Sequence, residues 1–355
     1  MNRRGFALAL VLWTLVIGAA LLTVGLLVAV QEHRATGAER RLHHGFLDAE
    51  ADLAMALRSR SPGELRSLLP RAFDSVAIAG PSGHATVRRL TSALYLIEAT
   101  TESLGVRVRL GMLARARAPE FRISAALSVG GEAVLAGDSR VDGRDSIPSQ
   151  DAACPPPDSA VPGLAAGSVR LGTSAAVVGA PPVQLRAASD TGLAPVDEDM
   201  YQRLTAHATI TLPGGAWHTS PTTVGTACDL RDPSNWGATS GPPSPCAAYS
   251  PIIHSLGDLD LAGGVGQGIL LVDGNLRFSG GYDFRGIMMA RGRLEVAASG
   301  GPVGVLGAVA VGAAGAAAAP LGGFSVRYSK CMISNVLLSS GRLVPLRSRS
   351  WKQLF

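Results

Sequence analysis

Lysine is almost missing from this chain of 355 residues. Only Lys330 and Lys352 stand among 32 basic residues, and the rest are Arg. The formal net charge of +5 is too small for the strong basic footprint of a nucleic-acid binder, so no nucleic-acid partner is expected. Aromatic residues make up 5% and charged residues 17%, against 47% apolar. A disordered chain needs the opposite balance, low hydrophobicity with high net charge. No C-x-x-C pair occurs, which argues against zinc ribbons and thioredoxin-type redox sites. Neither Lys follows a Gly, so a phosphate-binding P-loop is excluded. G-x-S-x-G, H-E-x-x-H and H-x-E…C-x-x-C are absent as well, and His207, His218 and His254 are scattered. The Gly-rich stretches lack the strand–G-x-G-x-x-G–helix context of a dinucleotide site. The expectation is a non-enzymatic chain with no cofactor and no metal.

Charge is also missing from one long stretch. Phe6–Val30 is 25 residues without a single ionisable side chain. As a helix it rises about 37 Å, enough to cross a hydrocarbon core of about 30 Å with some tilt. Arg3 and Arg4 precede it, and the first acidic residue is Glu32. The positive-inside rule then expects a single pass through the inner membrane, with a cytoplasmic N-terminus and the bulk periplasmic or extracellular. A secretory signal would have an apolar core of about 7–15 residues and a small-x-small cleavage site. The run is too long for that, and for a twin-arginine signal. An unprocessed signal anchor is the third alternative.

Arg3-Arg4-Gly5-Phe6-Ala7-Leu8 resembles the cleavage region of class III prepilins. The resemblance implies a cut by prepilin peptidase between Gly5 and Phe6, followed by N-methylation of Phe6. It also implies association with other pilins through the N-terminal helix. One departure matters. Major pilins carry Glu at the fifth mature position, where this chain has Leu10. A carboxylate inside a membrane is costly and kept for function, so its absence argues against an ordinary major pilin. The pattern is similar instead to PilX-type minor pilins and to the large tip pseudopilin of type II secretion.

Beyond the run, Leu42, Phe46, Ala49, Leu53 and Leu57 recur at helical spacing and predict an apolar stripe over 31–60. Gly37 and Gly45 interrupt it and offer places to bend, and Ser61-Pro62-Gly63 ends it. His33, His43 and His44 read as exposed. From Glu64 to Asp145 the period changes to two, and strands are expected at His84–Arg89, Ala93–Thr101, Gly105–Ala114 and Phe121–Val129. A long helix laid on a small antiparallel sheet is an α+β arrangement, the one the resemblance implies for a pilin head.

Asp142–Pro162 reads as a linker or covering loop. Asp197, Glu198 and Asp199 precede a short helix predicted at Met200–Ala206, where the helix dipole explains carboxylates at least as well as a calcium site does. An even count of four Cys beyond a membrane segment points to disulfides. Of three possible pairings, Cys228–Cys246 is favoured as nearest in sequence, with Cys154–Cys331 second. Free buried thiols are the alternative.

The C-terminal third repeats itself. Gly268–Phe278 matches Gly286–Val296 at a spacing of 18, Gly257–Leu261 matches the second half of the unit 17 residues earlier, and Gly307–Gly312 matches its first half. Each unit reads as two short strands with a Gly at the corner. Such units predict short β-solenoid coils, with a β-meander as the competing fold. Ala297–Gly323 reads as thin coils or a flexible tip, and Phe324–Leu338, with Cys331, as further strands. The terminal Arg342, Arg347, Arg349 and Lys352 around Trp351 read as a solvated last strand, or as a contact for lipid headgroups or an acidic partner.

Gly266–Gly274 and Leu346–Trp351 resemble C-terminal regions of large PilX-like pilus assembly proteins. The expected organisation is therefore a leader at 1–5, a transmembrane helix at 6–30 and its amphipathic extension at 31–60. A pilin-like α+β domain at 61–145 follows, then a Pro/Gly-rich linker and disulfide-loop region at 146–250 and a mainly β repeat domain at 251–355. The implied role is a minor subunit in type IV pilus assembly, initiation or tip. A type II secretion tip pseudopilin and a signal-anchored surface adhesin are the alternatives. A β-helix polysaccharide lyase is disfavoured because the repeat region is too short and apolar.

Overall fold

The computed structural model describes residues 3–59, 62–65, 68, 71–77, 84–91, 93–103, 105–118, 123–147, 154, 156–186, 198–239, 244–297, 300–312, 323–346 and 351–353; side chains of 3–10, 63, 64, 77, 103 and 351–353 lie outside the description. The apolar run and the stripe after it form one helix, α1 (Arg3–Ser59), 57 residues long. At 1.5 Å per residue it extends about 85 Å. It is not interrupted at Gly37 or Gly45. From Val11 to Val30 its large apolar side chains face outward, with Leu22 77% exposed. From Gly45 onward it packs on a sheet.

That sheet is antiparallel, in the order β1 (Phe73–Ala77), β2 (His84–Arg89), β3 (Leu94–Ser103), β4 (Val106–Arg117), followed by the strand Arg342–Pro345. The period of two in β4 has a direct consequence. Val108, Leu110, Met112, Ala114 and Ala116 turn to the core, while Arg107, Arg109, Arg115 and Arg117 stay exposed. The expected stripe meets this core at four of its five residues, Ala49 and Leu53 fully buried and Phe46 and Leu57 packed against them partly buried. Leu42 is exposed, and Gly45, Ala49, Asp52, Leu53 and Ala56 are buried. Two contacts explain this. A Cβ at Gly45 would meet Val108 Cγ2 at 2.9 Å, so a residue without a side chain lets helix and sheet approach closely. Asp52 is tolerated inside because Thr101 Oγ1 donates to its Oδ2 at 2.9 Å.

The second sheet is built from parallel strands stacked in register. Ile252–Ser255, Leu259–Val272, Tyr282–Ala290, Val303–Val311 and Phe324–Tyr328 lie side by side. The repeat is paired residue for residue. Gly268 faces Gly286, which faces Gly307, and Leu259 faces Leu276, which faces Leu294. Ile269–Val272 and Ile287–Ala290 are continuous buried runs, as parallel strands covered on both faces require. The stacked glycines are needed at the corner. Their φ values are 116°, 136° and 149°, and a Cβ at Gly286 would fall 2.0 Å from the Gly268 carbonyl oxygen.

Strand pairing cuts across the expected segments 61–145 and 251–355. Leu127–Val129, from the predicted strand Phe121–Val129, pairs with Val309–Val311 in the large sheet, and Arg140–Asp142 pairs with Ser325–Arg327. The C-terminal strands Arg342–Pro345 and Trp351–Gln353 pair with β4 in the small sheet. The chain leaves the small sheet after β4 and returns to it at its end. The reading of Phe324–Leu338 as strand is corrected in its second half. Phe324–Tyr328 is a strand, but Lys330–Ser339 is a helix, the last of four among the described residues after α1, Pro62–Leu65 (α2) and Glu198–Thr205 (α3), and is labelled α4. Ser329 caps it by accepting from the Met332 amide, and Met332, Ile333, Val336 and Leu337 bury its inner face.

Candidate functional site

Gly5, Phe6 and Leu10 fall in the first turns of α1, with their side chains outside the described part. The helix they begin is long and apolar enough to cross a membrane. Among the described residues its outward-facing apolar surface has no partner, whereas its other half is held by Ala49, Leu53 and Ala56. One helix thus carries an exposed apolar segment and a sheet-packed segment in a single rod.

The four cysteines form two bonds, Cys228–Cys246 and Cys154–Cys331. The first closes a loop that rests on the large sheet. Asn235 Nδ2 donates to the Asp229 carbonyl oxygen at 2.6 Å, and Gln267 Nε2 donates to the carbonyl oxygens of Tyr249 and Ala247 at 2.7 and 2.9 Å. Trp236 is fully buried beneath the loop. The second bond ties the 154 region to α4. Lys330 Nζ adds an ion pair to Asp158, and the Lys330 amide donates to Asp145 Oδ1 at 2.9 Å.

A polar cluster holds α3 against the stacked strands. Asp273 accepts from Tyr201 Oη at 3.0 Å and Arg291 Nη1 at 3.0 Å, and its Oδ2 lies 3.0 Å from His254 Nε2. Arg291 also pairs with Glu198, and its guanidinium carbon lies 4.2 Å from the Tyr201 ring centre. Burial, reinforced by the Asp273 charge, pushes the Tyr201 phenol well above its usual range. The Gln202 amide and then Arg291 hold the Glu198 carboxyl below the usual carboxylate range. Both Asp273 oxygens are engaged within the protein, so the cluster acts as a clamp. Its sequence signal was present: Asp273 and Arg291 occupy the same place in the repeat with opposite charges. Of the acidic group 197–199, Asp197 lies outside the described residues, and Glu198 and Asp199 open α3. Among the described residues, no group of three or more His, Cys, Asp or Glu comes together that could hold a metal ion. His43 and His44 are exposed on α1.

A cavity opens where β4 ends, between α3, the disulfide loop and the end of α4. Arg117, Arg203, His207 and Arg342 line it together with Leu230 and Tyr249. These residues come from four distant parts of the chain, and no motif links them.

Together these features define a protein class: an α+β chain in which one long apolar helix carries a head of two β-sheets. No family model and no curated protein matches it. Among solved structures, the crystal structure of the competence-associated pilin ComZ from Thermus thermophilus is similar at 13% identity, over 81% of this chain and 87% of that one, with a TM-score of 0.22. A score of that size carries no argument about fold or function.

Proposed function

We propose that the chain is a membrane-anchored, non-enzymatic, pilin-like minor subunit that acts in the assembly, initiation or tip of a type IV pilus or a related secretion filament. The observation that carries this reading is the division of labour along α1. Its first half exposes an uninterrupted apolar surface from Val11 to Val30, and its second half is clamped to an antiparallel sheet. The apolar half stores the subunit in the inner membrane, with the head outside. A cut after Gly5 frees Phe6, which is then methylated, and the helix joins the helices of other subunits. Leu10 lacks the carboxylate of shaft-forming subunits, which suits a subunit that starts or caps a fibre. In this reading the in-register parallel strands are coils of a short β-solenoid inserted into the pilin-like unit between β4 and the strand Arg342–Pro345. The in-register glycine corners support it.

The test is intact-mass and N-terminal peptide analysis of membrane-extracted protein, produced with and without its prepilin peptidase. The expected result is a chain beginning at methylated Phe6 only when the peptidase is present. An intact Met1 under both conditions overturns the reading and favours a signal-anchored surface adhesin.

A further inference from the structure

The cavity at the end of β4 has a volume of about 1180 Å³. Small-molecule pockets usually span about 300–1,000 Å³, so this one suits something larger. Its chemistry is one-sided. Arg117, Arg203, His207 and Arg342 all line it, and Asp199 and Asp229, close in sequence to Arg203 and Leu230, do not. Arg117 and Arg342 stand directly opposite each other across an antiparallel pair. Like charges in that position destabilise a sheet. All three Arg side chains are exposed, and among the described residues none is engaged in an ion pair or side-chain hydrogen bond. The end of α4 also reaches the cavity, through Ser339, Ser340 and Gly341. A helix C-terminus contributes roughly half a negative charge, far less than three guanidinium groups supply. Between these cations lies apolar surface, with Leu230 58% exposed at the rim and Tyr249 in the wall.

We infer that this cavity binds an acidic peptide segment of a partner protein. Carboxylates of the segment sit against the Arg117–Arg342 pair and Arg203, and its apolar side chains rest on Leu230 and Tyr249. An acid offers each guanidinium a bidentate partner and removes the repulsion between Arg117 and Arg342. The site lies wholly in the head and stands whether or not the N-terminus is processed.

The experiment uses the full chain in detergent micelles and a fluorescein-labelled hexapeptide that alternates acidic residues with Leu. Comparison peptides carry Lys at the acidic positions or Ser at the Leu positions. Fluorescence anisotropy is expected to show saturable binding of the acidic-apolar peptide alone. Charge-assisted contacts of this kind are worth about tenfold each, so Arg342→Gln weakens binding about tenfold and the Arg117→Gln/Arg342→Gln double variant about a hundredfold. Arg203→Gln, on a different element, and Leu230→Ser weaken it independently. Melting temperatures no lower than the parent's, with intact disulfides, exclude misfolding as the cause. Equal binding by the double variant, equal binding of the Lys peptide, or no saturation up to about 1 mM, the weak end of specific affinity, overturns the proposal.

Discussion

Replacing Gly286 by Ala tests whether the glycine corner is what allows the repeats to stack. At φ 136° the backbone is in the region that L-residues avoid. The added Cβ would sit 2.0 Å from the Gly268 carbonyl oxygen, where ordinary contact begins at 3.4 Å. The obstacle is backbone, so it cannot turn aside as a flexible side chain would. The next corner is stacked as closely, since a Cβ added at Gly307 would fall 1.9 Å from the Gly286 carbonyl oxygen. The left-handed conformation costs an alanine about 1–2 kcal/mol. Forcing the strands apart costs about 1–3 kcal/mol more. The sum, about 2–5 kcal/mol, is a large share of the roughly 5–15 kcal/mol that holds a domain folded. Urea unfolding of the full chain in detergent, followed by circular dichroism with the disulfides intact, reads this as a lower midpoint. Gly37→Ala is the matched control. Nothing lies within 4 Å of its added Cβ, and in the helix interior it gains up to about 1 kcal/mol. A Gly286→Ala unfolding free energy within about 0.5 kcal/mol of the parent's would refute the reasoning, since that is the scatter of a neutral surface change.

Two further outcomes are expected. Cys154–Cys331 spans 177 residues and Cys228–Cys246 spans 18, so loop-closure entropy assigns them about 5 and about 3 kcal/mol respectively. Urea titrations of Cys154→Ser/Cys331→Ser and Cys228→Ser/Cys246→Ser should show the larger loss in the first pair; equal losses or the reverse order would contradict the loop-length account. Asp142 is held below the usual carboxylate range chiefly by its hydrogen bonds from Arg144. A depressed folded pKa gives stability that is present above the unfolded value of about 3.9 and is lost as pH falls through the lower folded value. Asp142→Asn should therefore lower the melting temperature at neutral pH, with the difference from the parent closing at acid pH. A difference that stays constant from neutral to acid pH would show that Asp142 acts through packing alone.

Several features were legible before any fold was known. The apolar run, the alternation of β4 and the 18-residue repeat are periodic, and each period is set by local backbone geometry. The pairing of Gly268 with Gly286 places that repeat in the structure with no residue of slip. Other features were not legible. The run Cys331–Leu338 is short and mostly apolar, and such runs fit a buried strand as well as a helix. The Ser329 cap and the surrounding core make it a helix. The helical stripe was legible at Phe46, Ala49, Leu53 and Leu57, but not its full width. Asp52 and Gly45 look like surface residues until Thr101 and Val108 supply their neighbours.

The amino-acid sequence by itself determined which stretches are apolar, which alternate and which repeat, because hydrophobic burial and backbone period act over a few residues. Only the tertiary structure decided where each strand sits. Leu127–Val129 joined the large sheet, and Arg342–Pro345 closed the small one. Those pairings link residues more than a hundred positions apart, and no local preference distinguishes one apolar strand as a partner from another. The same closure set Arg342 opposite Arg117 and brought both to one cavity with Arg203 and His207. Charges so distant in the chain meet only because the chain returns to the small sheet after building the large one.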